Sequence, residues 1–293
     1  MKLQGSMVAI VTPLQGGKPD LKALRGLAEW QIAEGTDGII PCGTTGEGST
    51  LTGAERADVI RTVVETAKGR VRVIAGAGSN STAEAIEGVK VARQLGADAA
   101  LVVTPYYNKP TQEGLYRHYT AIWEAVGFPV VAYNVPGRTA VDLLPETVAR
   151  LVKAGAIVGI KEATANMDRQ VQLVEKAGAD TISYLSGDDF TVVPYVACGG
   201  HGVISVVANI APRAMKELVV AARKGDHASA LRMQVAMAEL NRMMFIETNP
   251  GPVKAAVALM GKASPEIRLP LVQPSEASLA KIREAMVRFG IRL

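Results

Sequence analysis

Residues 156–168 read AIVGIKEATANMD, an apolar run that ends in a lysine and is followed by a polar segment. The run from Ile157 to Ile160 is typical of a buried strand, and Lys161 stands at its end. A buried ammonium is costly unless it is paired or loses its proton. Either the charge of Lys161 has a structural partner, or its amine does chemistry.

The same order, an apolar β-rich run followed by a segment of helical periodicity, recurs along the chain. Ser/Thr-x-x-Glu pairs at Thr52 with Glu55 and at Ser81 with Glu84 predict capping boxes where two of the helices begin. Repeated strand–helix units predict a parallel sheet, and eight of them favour a closed barrel over an open doubly wound sheet of roughly five to seven strands. We therefore predict an α/β fold, a (β/α)8 TIM barrel over residues 1–224. The eight runs are MVAIV (7–11), DGIIPCG (37–43), VRVIAGAG (71–78), AALVVTPYY (99–107), PVVAYNVPG (129–137), AIVGIKEA (156–163), TISYLSGDD (181–189) and GVISVVAN (202–209).

The strand pattern stops near residue 225, and the rest of the chain has helical periodicity. Helical stretches are predicted at 227–245, 251–261 and 275–289. Pro265, Pro270 and Pro274 interrupt regular structure before the last of them. We predict a C-terminal helical domain over residues 225–293.

Composition argues against several classes of function. The net charge is +4, and no basic cluster with interleaved aromatic residues predicts nucleic-acid binding. Cys42 and Cys198 give neither a disulfide framework nor a zinc spacing, and the three histidines are isolated, so we expect no metal site. The apolar start of the chain is too short to span a membrane. We expect a cytoplasmic protein that binds neither nucleic acid nor membrane.

Reactive side chains stand where four of the predicted strands end. In a barrel of this kind the chemistry lies at the C-terminal ends of the strands. Side-chain alternation places Lys161 and Glu162 on opposite faces, and it places Lys161 and Tyr133 together at the mouth of the barrel. The candidates, in chain order, are Thr44, Thr45, Tyr106, Tyr107, Tyr133, Arg138 and Lys161.

The free energy needed to deprotonate Lys161 shows whether its amine could react. An ordinary lysine amine is only ~0.1% unprotonated at neutral pH, and lowering its pKa by three units requires about 4 kcal/mol. An apolar barrel interior can supply this, and the free amine then forms a Schiff base with a carbonyl carbon, whose iminium is an electron sink. The alternative is a structural lysine whose head reaches the surface. The neighbouring tyrosines and threonines favour the reactive amine.

The chain contains the segments GTTGEGSTLT (43–52), VTPYYNKPTQEGLYRHY (103–119), YNVPGRT (133–139), GIKEAT (159–164), LSGDD (185–189), GGHGVISV (199–206) and ETNPGPVK (247–254). These seven segments resemble the dihydrodipicolinate synthase family of pyruvate-dependent class I aldolases. They keep the family's order and spacing from about residue 12 to residue 254. The resemblance implies a (β/α)8 barrel with a C-terminal helical domain, and a lyase that condenses pyruvate with L-aspartate-4-semialdehyde on the route to diaminopimelate and lysine. It implies no cofactor beyond the covalent pyruvate imine.

The resemblance also implies roles in catalysis. Lys161 would form the Schiff base with pyruvate, and Tyr133 would move protons through a relay of Thr44 and Tyr107. In this family the second tyrosine of the Tyr-Tyr pair reaches into the site of the neighbouring subunit. The resemblance therefore implies a homotetramer built as a dimer of dimers.

Substrate binding follows from the same resemblance. Thr45 and the backbone around Gly187 and Ile204 would hold the pyruvate end. Arg138 would bind the carboxylate of the semialdehyde. The second threonine of GTTGE and this arginine favour the dipicolinate branch. The alternatives are a sugar-acid aldolase, either N-acetylneuraminate lyase-like or a keto-deoxy sugar acid aldolase, and an inactive barrel relative that serves as a binding or regulatory subunit.

Feedback by lysine is the last expectation. Feedback-sensitive members of the family bind lysine between subunits, and Asn80, Glu84 and Tyr106 match that possible allosteric site. Gly53 and Arg56 stand where the sensitive pattern carries histidines. Because Arg56 would repel the ammonium of lysine, we expect weak inhibition or none.

Overall fold

The computed structural model describes all 293 residues, and its centre is a closed barrel of eight parallel strands. The first strand pairs with both the second and the eighth, which closes the sheet. The predicted (β/α)8 barrel is confirmed. The strands are β1 (Gly5–Ala9), β2 (Gly38–Ile40), β3 (Arg72–Gly76), β4 (Ala99–Val103), β5 (Val130–Asn134), β6 (Gly159–Glu162), β7 (Ser183–Ser186) and β8 (Gly202–Ser205).

Helices fill the connections and follow the barrel. A small hairpin of Leu14–Gln15 and Lys18–Pro19 precedes the first helix, and a 3₁₀ turn, Val207–Asn209, follows β8. The helices are α1 (Leu21–Ala33), α2 (Gly53–Ala67), α3 (Thr82–Gln94), α4 (Gln112–Val126), α5 (Pro136–Thr139), α6 (Pro145–Lys153), α7 (Met167–Ala177), α8 (Val192–Ala197), α9 (Pro212–Arg223), α10 (His227–Met243), α11 (Gly251–Leu259) and α12 (Glu276–Phe289).

Of the two predicted capping boxes, the one at Thr52 has both of its hydrogen bonds, and the one at Ser81 has only one. At the start of α2 the Thr52 and Glu55 side chains each accept a backbone N–H from the other residue. At the start of α3 the Ser81 hydroxyl accepts the Glu84 N–H, as predicted. The carboxylate of Glu84, however, accepts the hydroxyl of Ser79 at 2.8 Å. The prediction of a full capping box at Ser81 was wrong, because a neighbouring hydroxyl competes for that carboxylate.

The apolar residues form two hydrophobic clusters separated by the sheet. An outer cluster of 58 buried residues fills the space between strands and helices. An inner cluster of 12 fills the barrel and includes Val131, Tyr133 and Ile204. Because side chains alternate along a strand, Ala132 lies in the outer cluster instead. The inner cluster is the floor on which the candidate site is built.

The last three helices pack against the barrel. All three were predicted, and their bounds agree with the prediction to within two residues. Met237, Val253 and Ile282 belong to the same outer cluster as the barrel helices. The division at residues 224 and 225 therefore stays a prediction, while the helical nature of the segment is confirmed. None of the helices combines the length and the apolar character that crossing a membrane requires.

Candidate active site

Lys161 and Tyr133 lie side by side at the ends of adjacent strands. The register of β5 and β6 pairs Tyr133 with Lys161, so both side chains point into the barrel. The two residues are only 6% and 5% exposed. The Lys161 Nζ lies 4.3 Å from the centre of the Tyr133 ring. The juxtaposition predicted from strand parity is confirmed.

The chain has two buried lysines, and only one of them is paired. Lys254 forms an ion pair with Glu47, and both side chains are almost completely buried. Lys161 has neither a carboxylate within ion-pair distance nor a hydrogen bond from its amine, which lies over the face of the Tyr133 ring. Lys161 is only 5% exposed, so its side chain does not extend from the strand end into solvent, and its role as a reactive amine stays a prediction. The amine is left available for chemistry.

Glu162 faces the opposite side of β6, as predicted. Its carboxylate accepts the side-chain amide of Asn134 at 3.0 Å and the backbone N–H of Thr164 at 2.9 Å. Burial raises the pKa of Glu162 above its ordinary value. This carboxylate orders the loop after β6 and does not neutralise Lys161.

The two candidate threonines lie in the loop after β2, residues 43–50, which we call the threonine loop. Thr44 is half-buried, and Thr45 is 2% exposed. The Thr45 hydroxyl accepts the side-chain amide of Asn249 at 3.1 Å. A Cβ at Gly48 would lie 2.1 Å from the carbonyl oxygen of Cys42, so only glycine fits this tight turn.

Gly187 and Ile204 occupy different positions relative to the lysine. A Cβ at Gly187 would lie 3.0 Å from Lys161 Cε and 2.7 Å from the Cβ of Ala163, so glycine keeps the space beside the amine open. Ile204 is fully buried on β8, two strands away from β6, and packs in the inner cluster. Gly187 is therefore adjacent to Lys161, while Ile204 belongs to a part of the floor two strands away.

A cavity of about 300 Å³ opens at the C-terminal end of the barrel. Thr44, Tyr133 and Arg138 lie in its wall, whereas Lys161 is not among the lining residues. Arg138 is exposed on α5, and its Nη2 donates to the carbonyl oxygen of Asn249 at 3.3 Å. A substrate in this cavity would meet a hydroxyl, a phenol and a guanidinium.

Asn249 is the site residue that the sequence reasoning missed. It is 4% exposed and contacts both Thr45 and Arg138, the two residues predicted to hold the two substrates. Its segment, ETNPGPVK, is one of the seven that carry the family resemblance. The available signal was an asparagine directly before a proline in that segment.

Tyr107 is not brought to the site by its own chain. It is 88% exposed, with a left-handed φ of 74°, and it does not line the cavity. The relay of Tyr133, Thr44 and Tyr107 is therefore not assembled within one chain. Tyr106, beside it, does line the cavity.

Comparison with known proteins identifies the family. The model of the dihydrodipicolinate synthetase family matches residues 2–288. This chain belongs to that family. The chain is 80% identical to 4-hydroxy-tetrahydrodipicolinate synthase of Anaeromyxobacter dehalogenans strain 2CP-C, over 100% of this chain and 99% of the relative.

Solved structures of the dihydrodipicolinate synthetase family superpose on the whole molecule. The dihydrodipicolinate synthase of Aquifex aeolicus is 44% identical with a TM-score of 0.97, over 99% of both chains. The chloride-inhibited enzyme of Acinetobacter baumannii, solved in complex with pyruvate, is 49% identical with a TM-score of 0.97, over 99% of this chain and 100% of that one. The resemblance read from the motifs is confirmed, and the chain is a lyase of this family.

The residues matched to the family's lysine site gather at one edge of the same cavity. Asn80 Nδ2 donates to the carbonyl oxygen of Tyr106 at 3.2 Å, and Glu84 and Tyr106 line the cavity. Arg56 lies in the same wall, with its Nε buried and without a hydrogen-bond partner. Gly53 lies exposed at the start of α2, outside the lining. Weak inhibition by lysine stays a prediction, now resting mainly on Arg56.

Metal ligands do not gather anywhere in the chain. No three His, Cys, Asp or Glu side chains come together in an arrangement that could hold a metal ion.

Proposed function

We propose that this chain is a 4-hydroxy-tetrahydrodipicolinate synthase, which condenses pyruvate with L-aspartate-4-semialdehyde in the biosynthesis of diaminopimelate and lysine. The observation that carries the chemistry is the unpaired amine of the buried residue Lys161 beside Tyr133. Its contrast with the ion-paired Lys254 separates a reactive lysine from a structural one. The full-length identity to a relative of this name supports the choice of substrates.

The first step is the capture of pyruvate. The Lys161 amine attacks the keto carbon of pyruvate, and loss of water leaves an iminium. The iminium withdraws electrons, so the neighbouring methyl group loses a proton and becomes an enamine. We assign the removal of this proton to Tyr133, whose ring lies beside the Lys161 amine. Thr45, Gly187 and Ile204 hold the pyruvate end.

The second step joins the two substrates. The enamine carbon attacks the aldehyde carbon of the semialdehyde, and the new alkoxide takes a proton through the relay of Tyr133, Thr44 and Tyr107. This bond regenerates the iminium, and the amino group of the semialdehyde then attacks the iminium carbon and displaces the Lys161 amine, which closes the ring of the product and frees the lysine. Arg138 lies in the wall of the cavity, where its guanidinium can bind the carboxylate of the incoming aldehyde. No cofactor is required, because the covalent imine on Lys161 supplies the electron sink.

The protein is proposed to work in the cytoplasm as a homotetramer, a dimer of dimers. Cys42 and Cys198 are both free thiols, which suits a reducing compartment. The exposed Tyr107 supports assembly, because the relay needs a second chain to complete it.

The Schiff base is tested by trapping. Incubation with pyruvate and borohydride should attach a reduced pyruvyl group to Lys161 and leave the peptide of the buried Lys254 unmodified, as read by mass spectrometry of tryptic peptides. Lys161→Ala should stay folded and lose nearly all condensation activity. Labelling at another lysine, or full activity of Lys161→Ala, would exclude this mechanism. Efficient turnover of sugar acids instead of the semialdehyde would favour a sugar-acid aldolase.

A further inference from the structure

The threonine loop is held in an unusual conformation at Glu47. The φ of Glu47 is 53°, in the left-handed region that residues other than glycine rarely adopt. The backbone N–H of Glu47 donates to the carbonyl oxygen of Thr44 at 3.1 Å, which closes the turn that carries Thr44 and Thr45. A residue persists in such a conformation only when its surroundings hold it there.

The side chain of Glu47 is held by the C-terminal helical segment. One carboxylate oxygen accepts a hydrogen bond from the ammonium group of Lys254 on α11. The other accepts a hydrogen bond from the backbone N–H of Arg268 at 3.0 Å. The Lys254 and Glu47 side chains are 1% and 2% exposed. Separating the two side chains would leave two uncompensated buried charges, which is strongly destabilising. The pair therefore holds the threonine loop and α11 together.

The C-terminal helical segment also contacts the threonine loop at a second point. Asn249, just before α11, donates its side-chain amide to the Thr45 hydroxyl at 3.1 Å. The stretch 249–254 therefore contacts the loop on both sides of Gly46, at Thr45 and at Glu47. Neither contact touches Lys161.

The exit of the loop is fastened by the same part of the chain. Arg268 Nη1 donates to the carbonyl oxygen of Thr50 at 2.8 Å, and the guanidinium pairs with Glu55 in the first turn of α2. The loop is thus bound to residues more than two hundred positions away at its middle and at its end.

We propose that Glu47 and Lys254 are positioning residues for the reaction, through which the C-terminal helical segment sets the places of Thr44 and Thr45 around the pyruvate. The inference rests on the proposed function, because the Glu47–Lys254 pair is proposed to position Thr45 for pyruvate binding and Thr44 for the proton relay. It also gives the appended helices a part in catalysis.

The test compares Lys254→Met with Lys216→Met. Lys216 also forms an ion pair, with Asp37, but at the N-terminal end of the barrel beside β1. We expect Lys254→Met to raise the KM for pyruvate about tenfold and to lower kcat about tenfold, while borohydride at saturating pyruvate still labels Lys161. Lys216→Met should change both constants less than twofold.

A double variant separates positioning from stability. Glu47→Gln with Lys254→Met leaves no uncompensated charge, so its Tm should recover relative to Lys254→Met alone. The ion pair between the threonine loop and α11 is still absent, so the KM for pyruvate should remain raised. Recovery of both Tm and kinetic constants, or constants of Lys254→Met within twofold of the wild type, would overturn the proposal. If Lys254→Met does not fold, the double variant alone decides.

Hydrogen exchange provides a measurement that needs no turnover. Amides of residues 43–52 should exchange at least tenfold faster in the double variant than in Lys216→Met. Unchanged exchange there would overturn the positioning role. An inactive wild-type chain would refute the proposed function, whereas an active wild type with unaltered variants would refute only this inference.

Discussion

At the scale of single residues, Arg138 tests the proposed division of the site between the two substrates. Arg138 lies in the wall of the cavity, and its one hydrogen bond goes to the carbonyl oxygen of Asn249, so no carboxylate of the chain neutralises it. We predict that Arg138→Ala raises the KM for aspartate-4-semialdehyde about 10- to 100-fold, since a lost guanidinium–carboxylate pair costs roughly 1.5–3 kcal/mol. The KM for pyruvate should change less than threefold. Steady-state kinetics with each substrate varied in turn measures both constants.

Arg283→Ala is the matched control for this substitution, because Arg283 is exposed on α12 and does not line the cavity. It should leave both constants unchanged. Equal increases for both substrates in Arg138→Ala would assign this arginine to the scaffold of the site.

At the scale of secondary-structure elements, a buried histidine joins two helices. His118 on α4 is 4% exposed, and its Nδ1 lies 3.0 Å from the Thr82 hydroxyl at the start of α3. Burial lowers the pKa of His118 to about 4. An unfolded chain protonates this histidine near pH 6.5, so its contribution to stability is present above pH 6.5 and is lost as the pH falls toward 4. We predict that this group alone destabilises the fold by about 2 kcal/mol between pH 7 and pH 5.

Urea unfolding of the wild type and of His118→Gln at pH 7 and pH 5 measures this contribution. The variant should lose about 2 kcal/mol less than the wild type over this interval. An identical loss in both proteins would show that the histidine is protonated equally in the folded and unfolded states.

At the scale of the whole molecule, one chain does not complete the proposed relay. Tyr107 is 88% exposed and does not line the cavity of its own chain. We predict that Tyr107→Phe and Lys161→Ala subunits, each poorly active alone, regain about a quarter of the wild-type activity when mixed equally, because half of the dimers are mixed and each holds one complete site. Activity after mixing, with subunit exchange followed by native mass spectrometry, tests this. Exchange without recovery would place Tyr107 in the site of its own chain.

Local pattern was enough to predict the barrel and the residues at its mouth. Alternation with a period of two placed Tyr133 and Lys161 on one face and Glu162 on the other, and the register of β5 and β6 agrees. The eight apolar runs predicted eight strands, and the helical periods after residue 225 predicted α10 to α12. These features depend on residues a few positions apart, which is the range over which hydrophobic periodicity acts.

The tertiary structure alone decided which distant residues hold the site in place. Lys254 and Glu47 are 207 positions apart, and Asn249 and Thr45 are 204 apart. No local period relates them, because barrel closure and the packing of α11 bring them together. The exposure of Tyr107 and the loss of the Glu84 cap depend in the same way on what surrounds each side chain in space. The sequence by itself determined where the reactive groups stand on their strands, and long-range packing determined which of them are paired, buried or free.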